Sequence, residues 1–514
     1  LKFAAKSLDL EAFGKFIVVL GVDDAKLLGV MSSDRVTLSS RGLELVAILN
    51  TASEFPEGCL GVFKEVKSRL GLSDGDVVAV GIADRPESLG SIREKIMGER
   101  LNASKMEKIV KDVVERHLSD IELASFVTAL QIHGMSMEEN EGLSRAMVKM
   151  GRTTDFKRKP ILDKHSIGGV PGDKTTLLVV PIVAAAGYTI PKSSSRAITS
   201  PAGTADRMEA LAPVDLRLKE IIKVVDEVGG CIVWGGALDL APADDHFIQV
   251  EYPLSIDPML LPSIISKKKA MGSSHVVIDI PTGRGAKMAS ISQTNQLAED
   301  FIVLGARLGI HIECAVTEGD QPIGWAVGPV LEAKESLRAL MGSGPPDLID
   351  KATSLAGILF EMVGEEGGKE KAMKLLASGK AEEKMRQIIE AQGGDPEVSP
   401  EDLKVGDKWV DFVAERSGRV LSIDNRAIAQ IARAAGAPND KGAGLLLRAK
   451  LGDHASEGEP ILKIYAENAQ KRDQAAKLAD TLQPIGVGKR IGETLLIKQI
   501  KDVLRPGERF ILER

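Results

Sequence analysis

The sequence predicts a multidomain α/β protein. A small β-barrel-like module comes first, then an α-helical domain, a large α/β domain with a mixed sheet, and a C-terminal α+β part. Three observations carry this prediction. At 514 residues, roughly 100–200 residues per domain gives about three domains. Hydrophobic residues make up 44% and charged residues 27%, the balance of a globular chain with a sizeable core. The hydrophobic pattern also changes along the chain, from β-rich runs to helical spacing and then to alternating strands and helices.

Residues 1–88 form the β-rich assembly module. Phe16–Leu20, Lys26–Val30, Arg35–Leu38 and Val77–Val80 read as strands separated by Gly and Asp. Leu70-Gly71-Leu72-Ser73-Asp74-Gly75-Asp76 is either a plain turn before a strand or a pattern that looks like cradle-loop and double-psi barrels. The helical domain spans 89–158, with 240–270 returning to it. Ile109, Val110, Val113 and Val114 follow helical spacing. Ser119 with Glu122, and Ser136 with Glu139, fit the capping box, in which Ser caps a free N–H and Glu reaches back. Each therefore starts a helix, and Arg158-Lys159-Pro160 closes the domain as a hinge-like connector.

Residues 159–400 read as the α/β phosphate-binding domain. Helices are expected over Thr175–Gly187, Asp215–Val228 and Ala298–Leu308, and strands over Tyr188–Ile190, Val276–Ile280 and His311–Val316. The Gly-, Pro- and Asp-rich stretch 391–408 leads into an α+β domain over 401–514, with a β-module turn at Leu451-Gly452-Asp453 and Glu457–Pro460.

Composition excludes several functions. The 66 Lys+Arg against 73 Asp+Glu leave −7, whereas binders of polyanions and membrane surfaces are normally basic. Aromatics are only 4%, too few for base-stacking platforms. No apolar run approaches the roughly 20 residues that span a bilayer, and no signal-peptide pattern opens the chain. Cys59, Cys231 and Cys314 form no CxxC pair or ligand cluster, which fits a reducing cytoplasm. The expectation is a cytoplasmic protein without nucleic-acid or membrane partners.

Four stretches carry chemistry. Asp163-Lys164-His165-Ser166-Ile167-Gly168-Gly169-Val170-Pro171-Gly172-Asp173-Lys174-Thr175-Thr176 is a phosphate cradle by composition. Its glycines let backbone N–H groups approach an anion, and a helix start follows. It misses a P-loop because Asp173 stands where the second Gly belongs. Ser193–Thr204 packs six hydroxyls and Arg196 into twelve residues, enough to clothe an anion or sugar. Thr282-Gly283-Arg284-Gly285-Ala286-Lys287 is a cationic loop directly after a strand, a usual ligand position in α/β sheets. Ser263 and Lys267, after Ser255-Ile256-Asp257-Pro258, share one face of a helix at i, i+4.

Lys164-His165-Ser166-x-Gly168-Gly169-Val170 resembles the signature of the thymidine and pyrimidine-nucleoside phosphorylases. The resemblance runs on through Ser194-x-Arg196, Gly203-Thr204-x-Asp206-x-x-Glu209 and Leu240-Ala241-Pro242-Ala243-Asp244. It continues through Ser263-x-x-x-Lys267, Gln321-Pro322-Ile323-Gly324-x-x-x-Gly328 and the Gly418 to Pro460 region. It covers about residues 90–514 with the motifs in order. The departures are Pro171, the segment Ala197–Ala202 in place of a Gly- and His-rich loop, the lack of an arginine between Ala243 and Lys267, and about 88 extra N-terminal residues. These look like the archaeal AMP phosphorylase branch of the family.

That resemblance implies phosphorolysis of nucleoside 5′-monophosphates: AMP, and also CMP and UMP, plus phosphate give base and ribose 1,5-bisphosphate. The product would feed nucleotide salvage toward ribulose-bisphosphate carboxylase. It implies that Lys164, Ser166, Ser194 and Thr204 hold phosphate beside Thr176, and that Gly168 and Gly169 let ligand approach the backbone. Ser263 and Lys267 would face the base, and Asp257 would be the proton donor. The 5′-phosphate needs a second cationic site, for which Ser195, Arg196, Ala197, Ile198, Thr199, Ser200 and Lys287 are the candidates. No metal and no cofactor are implied. A homodimer through the helices of 100–150, joined into larger homo-oligomers by the N-terminal module, is expected. The alternatives are a nucleoside phosphorylase acting on unphosphorylated substrates, a phosphoribosyltransferase, a P-loop NTPase and a non-catalytic nucleotide-sensing scaffold.

Overall fold

Strand β1 (Lys2–Ser7) pairs in parallel with β5 (Cys59–Val62), and β2 (Ile17–Gly21) in parallel with β4 (Leu43–Ala52). With β3 (Arg35–Ser40) and β6 (Val77–Ile82) they close a six-stranded barrel in the order β1-β5-β2-β4-β3-β6. This is a computed structural model, and it describes residues 1–488 except Phe13, Ile198 and Thr199. The expectations for Ile198, Thr199 and residues 489–514 lie outside the described residues. Helices α1 (Val22–Leu28) and α2 (Lys64–Leu70) lie in the β2–β3 and β5–β6 connections. Most of Lys26–Val30, expected as a strand, therefore belongs to a helix. Asp23 and Asp24 sit at its positive N-terminal end, and Gly29 stops it at φ 78°.

The bundle consists of α3 (Ser88–Ile96), α4 (Ala103–Val114), α5 (Asp120–His133) and α6 (Met137–Met150). Both capping boxes form, at Ser119–Glu122 and Ser136–Glu139. Buried Met106, Ile109, Phe126 and Leu143 share one core with Phe247 and Met259, which come from much later in the chain.

The α/β part runs through β7 (Leu162–Ser166), α7 (Thr176–Ala185), β8 (Ile190–Ser194), α8 (Thr204–Glu209), α9 (Leu218–Val228) and β9 (Gly230–Trp234). The chain then leaves through α10 (Pro242–Leu254), which packs on the bundle, and α11 (Leu260–Ala270). It returns as β10 (His275–Thr282), α12 (Ile291–Arg307), β11 (His311–Glu318) and the short β12 (Ala326–Val327). The strands pair as β11-β10-β7 and β8-β9, and an Ile161–Thr189 bridge links the two groups. The sheet was expected to be mixed. Every described pairing among these five strands, and the bridge, is parallel, because the chain returns through helical crossovers rather than hairpins. Helix α7, buried along most of its length, sits in the main core with α13 (Pro329–Leu340), α14 (Pro346–Met362), α15 (Gly368–Ala377) and α16 (Lys380–Ala391).

The last part holds β13 (Lys408–Val413), β14 (Gly418–Ile423), α17 (Asn425–Ala434), β15 (Gly444–Leu447), β16 (His454–Ala455), β17 (Pro460–Ala466), α18 (Ala469–Leu482) and β18 (Ile485–Gly488). β12 pairs antiparallel with β15, so this part is stitched to the α/β sheet's own chain. Among the described residues no helix is long and apolar enough to cross a membrane.

Candidate active site

Parallel strands deliver their following loops to one edge of a sheet. The loop after β7 and the loop after β10 leave adjacent strands. They touch at Gly169, where a Cβ would lie 2.7 Å from the Lys287 backbone nitrogen. Gly169 also has φ 96°, so both its conformation and its close neighbour require glycine. At Gly172, φ 75°, a Cβ would meet the Ile323 carbonyl oxygen at 2.7 Å, which seats the first loop on Gln321–Gly324.

Lys174 is fully buried and donates to the carbonyls of Ile323 at 2.7 Å and Ala326 at 3.1 Å, and to Glu335 at 2.6 Å. The lysine of the P-loop-like pattern is thus a structural staple. Asp173 accepts from the Thr175 hydroxyl at 2.5 Å. Lys164 Nζ donates to the same Thr175 hydroxyl at 2.8 Å and stands 3.7 Å from Asp173 and 3.9 Å from Asp279. Burial lowers the Lys164 pKa, against the pull of Asp173 and Asp279.

Beneath the loops lies a buried ion network that sequence reasoning missed. Lys268 reaches Asp163 at 2.7 Å, Lys192 stands 3.6 Å from Asp163, and Lys351 of α14 stands 2.9 Å from Asp279. Asp279 also accepts from Thr317 at 2.6 Å. Lys268 had a faint signal in the run Lys267–Lys269, whereas Lys351 had none. His165 is kept neutral: burial, then Lys192, Lys268 and Lys164, push its pKa well below the ordinary value.

The hydroxyl-rich loop between β8 and α8 is folded on itself. Asp206 accepts from Ala197 N–H at 2.7 Å and Gly203 N–H at 2.9 Å, clamping both ends. A Cβ on Gly203 would lie 2.5 Å from the Ser195 carbonyl oxygen. Ser194 donates to the Val233 carbonyl at 3.1 Å, Ser200 to Ala202 at 3.3 Å, and Ser195 is exposed. Ser166 Oγ accepts from Gly168 N–H at 3.4 Å, and Thr204 Oγ1 from Arg207 at 3.4 Å. Thr176, at the first turn of α7, is buried.

Arg196 is held by acidic neighbours. Its fork grips Glu209 at 2.7 and 2.8 Å and meets Asp215 at 3.2 Å, and its plane lies 5.0 Å from the Trp234 ring centre. The Glu209 hydrogen bond raises the Arg196 pKa despite burial. Glu209 falls to about 2, chiefly through Arg196, with Lys441 adding to it.

Helix α11 carries Ser263 and Lys267, and it packs against β10 through Ile264 and Ile265. Lys267 pairs with the fully buried Asp244 of α10. Burial works against the Lys267 charge, but Asp244, Asp245 and Glu251 outweigh it and raise the pKa. Asp257, in the α10–α11 connection, meets Lys287 Nζ at 2.9 Å, with both side chains half-exposed. Asp257 and Lys287 are thus brought together from the α10–α11 connection and the loop after β10.

Cavities of about 440 and 790 Å³ lie elsewhere, the first around Arg152, Arg217 and Lys219, the second around Pro213, Lys223 and Gln387. Among the described residues one group of ligand-type side chains clusters, Asp112 with Glu115 and His117. It lies at the end of α4, and none of the loop residues above belongs to it.

The helical bundle domain of a glycosyl transferase family matches residues 90–151, and the a/b domain of that family matches 158–382. The pyrimidine nucleoside phosphorylase C-terminal domain matches 419–486. The fold is similar to that of an anthranilate phosphoribosyltransferase from Thermus thermophilus. The TM-score is 0.51 and the identity 21%, over 59% of this chain and 99% of that one. An AMP phosphorylase of Thermofilum pendens is 48% identical over 514 residues, all of both chains. One from Thermococcus kodakarensis is 52% identical over 92% of this chain and 95% of its own. One from Pyrococcus furiosus is 49% identical over 94% and 97%. With that identity running from the barrel through the last domain, the chain belongs to the AMP phosphorylase family.

Proposed function

We propose that the protein catalyses phosphorolysis of AMP, releasing adenine and ribose 1,5-bisphosphate, and that CMP and UMP are also substrates. The observation that carries this reading is the contact of Lys287 with Asp257 beside the Gly168-Gly169 turn. It puts a cation suited to a 5′-phosphate next to an acid suited to the leaving base.

In this reading inorganic phosphate sits over the first loop. Ser166 and Thr204 donate to it, as does Ser194 once its hydroxyl turns from the Val233 carbonyl, Gly168 and Gly169 let it reach the backbone, and the start of α7 at Thr176 adds a positive dipole end. Lys164 and its lysine-rich surroundings supply the field behind the loop. The phosphate oxygen attacks C1′ as the glycosidic bond breaks, so the ribose passes through an oxocarbenium-like state. Asp257, protonated once the 5′-phosphate has taken Lys287 from it, gives that proton to adenine, and the electron pair of the broken bond stays on the base. Ser263 and Lys267 face the base. Lys287 holds the 5′-phosphate, with Ser195, Ala197 and Ser200 beside it, and Arg196 shapes that loop through Glu209 and Asp215. Closure of the helical side on the α/β side brings the two halves together and excludes water, which would compete with phosphate. The product feeds a salvage route toward ribulose-bisphosphate carboxylase.

The chain works as a homodimer through the bundle helices, where Ile121 and Ile132 of α5 stand exposed. The barrel joins dimers into larger particles. It meets the bundle through Arg35 with Glu122 and through Lys15 with Asp120 at 2.5 Å. Incubation with each nucleoside monophosphate or nucleoside plus phosphate, with released base read by chromatography, tests the reading. Faster release from adenosine than from AMP would defeat it.

A further inference from the structure

A carboxyl group that protonates a leaving base must be held within hydrogen-bond reach of it. Asp257 sits on a short connection between α10 and α11, exposed to solvent, where a loop would ordinarily wander. Both ends of this connection are tied to one residue. The carbonyl oxygen of Glu251 accepts from Ile256 N–H at 3.2 Å, immediately before Asp257. The side-chain Oε1 of Glu251 accepts from Met259 N–H at 3.3 Å, two residues after it. Ser255 makes the bend possible with φ 53°, and Met259 is fully buried in the bundle core.

We propose that Glu251 is the positioning residue for Asp257, bracing the connection from beneath so that the Asp257 carboxyl faces the base. This deepens the proposed function and rests on Asp257 being the proton donor.

The charges around Glu251 suit such a brace. Asp257 in the connection and Asp244 on its own helix are like charges near it, and Lys267 of α11 is the cation that faces it. Burial first, then Asp257 and Asp244, lift the Glu251 pKa to about 7. The brace therefore holds Asp257 without adding a full negative charge at neutral pH. A hydrogen-bond acceptor is what the position requires, and a glutamine would supply it.

The test compares Glu251→Gln, which keeps an acceptor for Met259 N–H, with Glu251→Met, which keeps the volume and loses the acceptor. Glu251→Met leaves the Met259 N–H without its acceptor, so circular dichroism and a melting curve establish that the variant is folded before its kinetics are read. With AMP, Gln is expected to retain kcat within about threefold. Met is expected to lower kcat by about 10- to 100-fold, the range of a misplaced general acid, with KM for phosphate unchanged. A second substrate, N7-methylated AMP, carries a cationic base that leaves without receiving a proton. Its turnover is expected to be insensitive to Glu251→Met and to the control Asp257→Asn.

A Met variant that matches the Gln variant on AMP would overturn the brace. So would a Met variant that loses AMP and N7-methylated AMP turnover equally while Asp257→Asn spares the latter. If Asp257→Asn itself depresses both substrates equally, the assignment of Asp257 as proton donor fails, and the brace with it.

Discussion

Lys287 Nζ lies 2.9 Å from Asp257 Oδ2, so two residues 30 positions apart meet directly at the site. In the proposed reading an incoming 5′-phosphate would compete with Asp257 for the same cation, and recognition of the monophosphate would also release the acid for the leaving base.

The first prediction follows from this pair. A charge-assisted hydrogen bond to phosphate is worth about 1.5–3 kcal/mol, so Lys287→Ala should lower kcat/KM for AMP by roughly 10- to 100-fold. Turnover of adenosine, which has no 5′-phosphate to bind, should not fall. Steady-state kinetics on both substrates decide the matter, and an equal loss on the two would remove Lys287 from 5′-phosphate recognition.

Gly169→Ala should part the first and third loops. The new Cβ would stand 2.7 Å from the Lys287 backbone nitrogen, at φ 96°. Strain at such a position costs on the order of 1–3 kcal/mol, which a chain of this core size survives. Activity should drop by at least about tenfold while the protein still melts cooperatively. Wild-type kinetics from a folded variant would show that the loop contact is dispensable.

Lys174 and Lys164 should separate stability from phosphate use. Lys174→Ala strips Glu335 and two carbonyls of their buried donor, a loss of about 3–5 kcal/mol. It should lower Tm and leave KM for phosphate unchanged. Lys164→Ala should weaken use of phosphate with either AMP or adenosine. Calorimetry beside phosphate titrations distinguishes the two, and a raised phosphate KM in folded Lys174→Ala would argue for a direct contact.

The Glu209 carboxyl gives a pH prediction. Its folded pKa is about 2 against an ordinary 4.5. A lowered carboxyl contributes stability that is complete above the unfolded value and fades as pH falls through the folded one. The Arg196–Glu209–Lys441 tie, with Lys441 Nζ at 2.7 Å from Glu209, should therefore loosen progressively between about pH 4.5 and 2. Glu209→Gln should flatten stability across that window. Acid titration followed by circular dichroism measures it, and an unaltered slope in the variant would mean another group carries the transition.

Deleting residues 1–85 should shrink the particle and leave a dimer. The barrel closes on its own six strands and has its own core, so its removal costs the bundle surface contacts such as Lys15–Asp120 rather than its interior. Light scattering of the truncated chain is the measurement. An unchanged number of chains per particle would place assembly elsewhere.

What the sequence determined by itself was local. Capping boxes at Ser119 and Ser136, helical spacing in 103–114 and the β-runs at 276–280 and 311–316 are set by neighbours within about four residues, and such signals survive in one dimension. The glycine loops were legible for the same reason, because a positive φ at Gly168 and Gly169 is a property of the residue itself. Partners were not legible. Arg196 gave no hint of its pairing with Glu209 and Asp215, and Lys174, in a loop that Asp173 already kept from being a P-loop, gave none of the Ile323 and Ala326 carbonyls around it. Lys351 could not be found at all, since nothing near it in the chain hints at Asp279. A charged side chain takes its role from whichever opposite charge lies within a few ångströms in a dry interior, and only the tertiary structure decides that distance.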